Sequence, residues 1–251
     1  MYCFNNSYGI PNGSYPGGFV EFQGSLYFNA RDSWDEGGTG NYELWKTDGT
    51  EEGTTMVKDI NSVGTSSYVS GVIPFGNELY FRANDGNSEN GSELWKTDGT
   101  EAGTVMVEDI WPGSYGSSPN HLTVVGDMLY FIANDGSNGI ELWKTNGTED
   151  GTMMVSDVYD GGSSSPNYLT VVGDLLYFKA TDGTHGYELW RSDGTVEGTI
   201  LVKDIAYGGD SGLEYSTMYA VGEILLFTAD DGYTGLELYW NSFPETNIFY
   251  E

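Results

Sequence analysis

The chain has 251 residues, ample for a sizeable core in one large domain or two small ones. Its 38 acidic residues against 9 lysines and arginines leave a formal net charge of −29, which repels phosphate backbones and anionic membranes and argues against a nucleic-acid partner. The 37 glycines, 19 tyrosines and 11 phenylalanines favour strands and tight turns over helices, and the single cysteine, Cys3, forms no internal disulfide.

No apolar run of about 18 residues is present, so no helical membrane insertion is expected. The start, Met1-Tyr2-Cys3-Phe4-Asn5-Asn6, has neither a basic nor an apolar region and does not read as a signal peptide. Acidic excess of this kind suits solubility in salty media, where screening shortens self-repulsion, and it also offers oxygen ligands to divalent cations.

Along the chain one phrase dominates. Glu43-Leu44-Trp45-Lys46-Thr47-Asp48-Gly49-Thr50 recurs unchanged at 93–100, slightly altered at 141–148 and 188–195, and worn at Glu237-Leu238-Tyr239. The glutamates at 43, 93, 141, 188 and 237 are spaced by 50, 48, 47 and 49 residues. Two further phrases keep the same beat: Leu-Tyr-Phe at 26–28, 79–81, 129–131 and 176–178 (Leu225-Leu226-Phe227 in the last copy), and Val-x-Asp-Ile/Val at 57–60, 107–110, 155–158 and 202–205. Three phrases in phase define a five-fold structural repeat.

Each unit reads as four short strands, A to D. In the third copy these are expected at 122–125, 128–133, 140–145 and 153–158, separated by Gly126-Asp127, Asn134-Asp135-Gly136 and Asn146-Gly147-Thr148 turns. A four-stranded meander of this length, apolar on both faces, predicts an all-β fold: a five-bladed β-propeller with four antiparallel strands per blade. The blades fall at about 17–60, 68–110, 119–158, 166–205 and 214–240 of one domain covering 1–251. The fifth lacks a Val-x-Asp-Ile phrase, so the ring is expected to be closed by the terminal segments. Residues 1–6 are expected in its D position, with 247–251 beside them.

The phrase Glu-Leu-Trp-Lys-Thr-Asp-Gly-Thr, followed by Gly-Thr and then Val-Lys-Asp-Ile, resembles the ELWxxDGT repeat family over nearly the whole chain. Blade five departs from it, with Tyr239 for Trp and Asn241-Ser242-Phe243-Pro244 for the turn. The resemblance implies repeat proteins of bacteria, often surface-associated or secreted, and hence an extracellular or cell-surface location; it supplies no catalytic residues. In blade number and length the chain is also similar to the five-bladed lectin tachylectin.

Candidate chemistry lies in the loops. No Gly-x-Ser-x-Gly, His-Glu-x-x-His or phosphate-cradling motif occurs, so no catalytic residues are assigned and the chain is not expected to be an enzyme. Strand topology puts the short A–B and C–D turns on one face and the variable B–C and D–A loops on the other. The repeated tryptophans then fill the space between blades, and Asp-Gly-Thr makes the C–D turn. On the variable face Trp34, Tyr68, Trp111, Tyr115, Tyr159, His185, Tyr207 and Tyr233 are the candidate ligand-binding residues, since aromatic and small polar loops on a rigid frame suit recognition. The B–C acids Asp85, Asp135, Asp182 and Asp231 are read either as Asx turns or as a repeated Ca²⁺ site, Ca²⁺ being the one cofactor admitted. The expectation is a monomeric, non-enzymatic propeller that binds a glycan or protein ligand, lectin-like and Ca²⁺-assisted. A structural or protein–protein interaction module and a glycoside hydrolase are the alternatives.

Overall fold

Runs of β-branched and aromatic residues between glycine turns become strands throughout the computed structural model. It describes residues 4–5, 11–31, 41–63, 65–87, 90–207, 209–213, 217–242 and 248–250, and no helix occurs among them. Among the described residues, twenty-two strands form one two-stranded and five four-stranded antiparallel sheets, each sheet with its strands in sequence order. The chain divides into two compact units, Met1–Asn120 and His121–Glu251.

The first unit holds the hairpin of β1 (Phe4–Asn5) and β2 (Pro11–Asn12). Sheet one follows: β3 (Gly17–Phe22), β4 (Ser25–Arg31), β5 (Tyr42–Thr47) and β6 (Thr55–Lys58). Sheet two is β7 (Ser70–Phe75), β8 (Glu78–Asn84), β9 (Ser92–Thr97) and β10 (Val105–Glu108). In the second unit, sheet three is β11 (Asn120–Val125), β12 (Met128–Asn134), β13 (Ile140–Thr145) and β14 (Met153–Ser156). Sheet four is β15 (Asn167–Val172), β16 (Leu175–Ala180), β17 (Glu188–Ser192) and β18 (Ile200–Lys203). Sheet five is β19 (Met218–Val221), β20 (Ile224–Asp230), β21 (Leu236–Ser242) and β22 (Ile248–Tyr250).

The closing strand corrects the sequence reading. The D position of sheet five belongs to β22, paired Tyr239 to Tyr250 and Asn241 to Ile248, whereas Phe4–Asn5 pairs with Pro11–Asn12. A hairpin partner a few residues away costs less loop-closure entropy than a strand recruited from the other end of the chain.

Because side chains alternate along a strand, every sheet has two unlike faces. In sheet two, Leu79 pairs with Thr97 and Phe81 with Trp95 on one face, while Tyr80 pairs with Lys96 and Arg82 with Leu94 on the other. We call the first the leading face and the second the trailing face. The core lies where a trailing face meets the next leading face. Tyr27 and Leu44 pack with Leu79, Phe81 and Trp95 between sheets one and two. Tyr130 and Leu142 pack with Leu176, Phe178 and Trp190 between three and four, and Tyr177 and Leu189 with Leu225, Phe227 and Tyr239 between four and five. The tryptophans of the repeated phrase thus fill gaps between sheets, burying large apolar area. First strands of neighbours lie side by side, β3 with β7 and β15 with β19. Each of β3, β7 and β15 carries a bulge, and its extra residue has positive φ: Gly18 at 65°, Gly71 at 67°, Tyr168 at 55°.

At the other end of each meander, Asp-Gly-Thr-x-x-Gly-Thr folds on itself. Asp98 Oδ1 accepts from Thr100 N at 2.8 Å and from Thr100 Oγ1 at 2.7 Å, and Thr100 Oγ1 accepts from Gly103 N at 3.0 Å. A Cβ on Gly103 would sit 2.1 Å from Asp98 Oδ1, which explains why glycine recurs there. These bonds hold the Asp48, Asp98 and Asp193 carboxyls below the usual carboxylate range, the neighbouring threonine hydroxyl contributing most. The turn is also a dock: Lys46 Nζ donates to Gly99 O and Lys144 Nζ to Gly194 O, both at 2.8 Å, tying one sheet to the turn of the next.

Gly103→Ala is expected to lower stability by about 1–3 kcal/mol in thermal or urea denaturation. In an Asp98→Ala background the same substitution should cost clearly less, because the clash is with that side chain.

Candidate functional site

The variable loops are positioned by the glutamate that opens the repeated phrase. Glu43, Glu93, Glu141 and Glu188 lie at the start of strand C, fully buried, and each carboxylate gathers N–H groups from the loop that follows strand D. Glu93 accepts from Ile110 N at 3.3 Å, from Ser117 N at 2.6 Å and from the Ser117 hydroxyl. Glu141 does the same with Val158 N at 3.3 Å, Ser164 N at 2.7 Å and the Ser164 hydroxyl. Glu188 accepts from Ile205 N at 3.1 Å, Ala206 N at 3.3 Å and Gly212 N at 2.8 Å. Glu43 accepts from Ile60 N at 3.1 Å and Ser67 N at 3.2 Å, while the Ser67 hydroxyl donates to Tyr42 O at 2.9 Å.

The same loops continue the staple into the next sheet: Asn84 N donates to Ser67 O, Thr181 N to Ser164 O and Asp230 N to Gly212 O, at 2.8, 3.0 and 2.9 Å. Burial pushes all four carboxyls up to about 7, against the hydrogen bonds that pull them down. In the fifth copy the corresponding Glu237 is exposed. This glutamate role was not read from the sequence; its signal was the in-phase recurrence of Glu with Ser67, Ser117 and Ser164.

The B–C acids close Asx turns. Asp85 Oδ1 accepts from Asn87 N at 2.8 Å and its Oδ2 from Asn90 Nδ2 at 2.9 Å. Asp135 is bound by the N–H groups of Ser137 and Asn138 and by the Asn138 amide. Asp231 is held by Tyr233 N and by Thr234 N and Oγ1. Asp182 accepts from Thr184 N and His185 N, and its Oδ2 lies 2.7 Å from His185 Nδ1. His185 therefore does in the fourth repeat what Asn138 does in the third and Thr234 in the fifth: it locks its own turn.

The bond to Asp182 raises the imidazole's affinity for its proton. At Asp182 burial works the other way, but the donors from His185 and Thr184 outweigh it and leave the carboxyl low. Among the described residues no group of three or more His, Cys, Asp or Glu side chains is arranged to hold a metal ion. Burial raises the Asp109 carboxyl, with Asp85 adding, and burial raises the Asp157 carboxyl, with Asp160 and Asp135 adding.

The aromatic candidates are dispersed. Trp34 lies outside the described residues. Trp111 stacks on Tyr115 with centroids 5.2 Å apart, so the two cover each other's faces within one D–A loop. Tyr159 is wedged between loops, its ring 2.5 Å from where a Cβ of Gly162 or of Gly183 would stand. Tyr68, Tyr207 and Tyr233 project into solvent, Tyr68 from a left-handed backbone at φ 53°. An apolar cavity of about 210 Å³ occurs elsewhere, on the leading face of sheet one, lined by Phe19, Leu26, Phe28, Trp45 and Thr47.

No family model matches the sequence. The comparison with curated proteins finds no relative. Solved structures do resemble the chain. A puromycin hydrolase matches with a TM-score of 0.60 at 11% identity over 96% of this chain and 39% of its own. A puromycin-hydrolyzing peptidase of Mycobacterium tuberculosis gives 0.58 at 9% over 96% and 38%. Prolyl oligopeptidase B from Galerina marginata gives 0.53 at 12% over 90% and 32%. The chain spans less than two fifths of the length of these proteins. Identities this low show the fold alone: a β-propeller-like, all-β repeat protein. They also correct the glycan-binding expectation: these similar structures are a puromycin hydrolase, a puromycin-hydrolyzing peptidase and a prolyl oligopeptidase, not lectins. Some of the candidate aromatics are engaged within their own loops, Trp111 on Tyr115 and Tyr159 against Gly162 and Gly183.

Two outcomes are expected for the glutamate clamp. Glu93→Gln keeps the volume but turns an NH₂ toward N–H donors, so it should cost about 1–3 kcal/mol, whereas exposed Glu237→Gln should stay within about 0.5 kcal/mol. The folded carboxyls titrate near 7 and the unfolded ones near 4.5, so the folded chain holds these protons more tightly. Their contribution is fully present below 4.5 and is lost as pH rises through about 7. Melting temperature should therefore fall between pH 5 and 8, and fall less in Glu93→Gln.

Proposed function

We propose that the chain is the β-propeller module of a hydrolase-type protein, its five sheets arranged as blades, and that it handles peptide substrate without cleaving it. The observation that carries this reading is coverage: 96% of the chain superposes on 39% of a puromycin hydrolase, so the likeness is to one module within a longer enzyme. A non-catalytic role is supported by the fate of the Asp182–His185 pair. A triad needs a hydroxyl on the second imidazole nitrogen, but Asp182 and His185 are engaged in closing their own turn. Peptide handling is supported by charge. At −29 the chain attracts the amino termini and basic side chains of peptides, over a screening length of about 10 Å at 0.1 M salt.

The test is binding of a cationic, proline-containing peptide by calorimetry at low and high salt, with the same samples read by mass spectrometry for cleavage. Salt-sensitive binding with the peptide intact is expected. Cleavage by the purified chain would overturn the non-catalytic role, and absence of binding at low salt would overturn peptide handling.

A further inference from the structure

Of the four C–D turns built on the repeated phrase, three open on aspartate, at Asp48, Asp98 and Asp193, and the third repeat puts Asn146 in that place. The turn keeps its geometry. Asn146 Oδ1 accepts from Thr148 N at 3.0 Å and from Thr148 Oγ1 at 2.7 Å, and Thr148 Oγ1 accepts from Gly151 N at 3.1 Å. The matching distances around Asp98 are 2.8, 2.7 and 3.0 Å. Both bonds to Asn146 use its oxygen, so the amide nitrogen adds nothing to the turn, and the residue is exposed.

An asparagine followed by glycine carries its own nucleophile. The Gly147 nitrogen, with no side chain to obstruct approach, can close a succinimide ring on the Asn146 amide carbon. This turn favours that step from both sides. The two donors on Asn146 Oδ1 draw electrons from Cγ and face the oxygen on which negative charge develops during attack. The Gly147 N–H is aimed at a fixed acceptor. Thr152 Oγ1 donates to Thr148 O at 2.8 Å, so in the 2.8 Å contact between the Thr145 and Thr152 hydroxyls Thr145 is the donor. The lone pairs of Thr145 Oγ1 are thereby left for Gly147 N, 2.9 Å away.

In the three aspartate copies the same turn is inert, because an ionised carboxylate resists attack and these carboxyls are held below the usual range. At the Asn-Gly pairs 90–91 and 138–139 the leaving amide is itself tied to a carboxylate, Asn90 Nδ2 to Asp85 Oδ2 at 2.9 Å and Asn138 Nδ2 to Asp135 Oδ2 at 2.6 Å. We propose that Asn146 is a self-modifying site, which the folded turn converts to the aspartate of the other repeats. Gly147 N bonds to Asn146 Cγ and yields its proton to water. The Cγ–Nδ2 bond breaks, and the nitrogen takes a proton from water and leaves as ammonia. Water then opens the ring at Cγ, the carbonyl whose oxygen the Thr148 donors hold. That restores the Gly147 N–H and gives ordinary aspartate rather than isoaspartate. The product adds a negative charge to two existing hydrogen bonds, and charge-assisted bonds are the stronger kind. The conversion does not depend on what the module binds.

The experiment is a time course of the purified chain in oxygen-labelled water at mildly alkaline pH, read by peptide mapping with fragmentation that separates aspartate from isoaspartate. Asn146 should lose ammonia and gain the label while Asn90 and Asn138 remain amides, and aspartate should exceed isoaspartate. In urea the preference for Asn146 and the excess of aspartate should both vanish. Thr148→Val keeps the N–H donor but removes the hydroxyl, and should slow conversion about fivefold, the worth of one neutral hydrogen bond. Thr148→Ser should restore the wild-type rate. A turn that merely shields Asn146 would convert faster once loosened by Thr148→Val. That result, a folded chain in which Asn146 outlasts Asn90 or Asn138, or a product dominated by isoaspartate would overturn the proposal.

Discussion

The structure depends on a carboxylate held out of water by backbone N–H groups. A glutamate buried without partners would be costly. At the start of each of the first four C strands, that cost is offset in part by two or three donors from the loop leaving strand D, and the carboxyls still rise to about 7. One side chain thereby fixes where the chain goes after it completes a sheet. The Ser67, Ser164 and Gly212 carbonyls carry the tie into the next sheet's B strand. The Lys-to-turn bonds at Gly99 and Gly194 do the same at the opposite end. Sheets one and two, and likewise three and four, are held at both ends by hydrogen bonds and in the middle by Leu, Phe and Trp.

Such a clamp makes loops rigid enough to carry side chains without being themselves a site. Tyrosine, serine and glycine in loops is what binding loops use, but serine here also serves Glu93 and Glu141, and glycine makes room for Tyr159 and for the Asp98 carboxylate. His185 is the sharpest instance. On its own it reads as a functional histidine; beside Asn138 and Thr234 at the matching positions it reads as the member of a turn series.

The four-strand unit, its number and the role of Trp as filler between sheets were legible in the sequence, because strand period and turn chemistry are local and were written five times. The Asx character of Asp85, Asp135 and Asp231 was legible for the same reason. The buried state of Glu43 and its three counterparts was not, since it depends on N–H groups 17 to 24 residues away that arrive only once the D–A loop has folded back. Nor was the choice of β22 over the N-terminal segment, which both matched the empty slot by counting and differed only in the entropy of reaching it. The sequence by itself determined the unit and how often it occurs. Only the tertiary structure decided which of its residues are held and which are exposed, because burial is a property of what comes to lie against a residue and not of the residue itself.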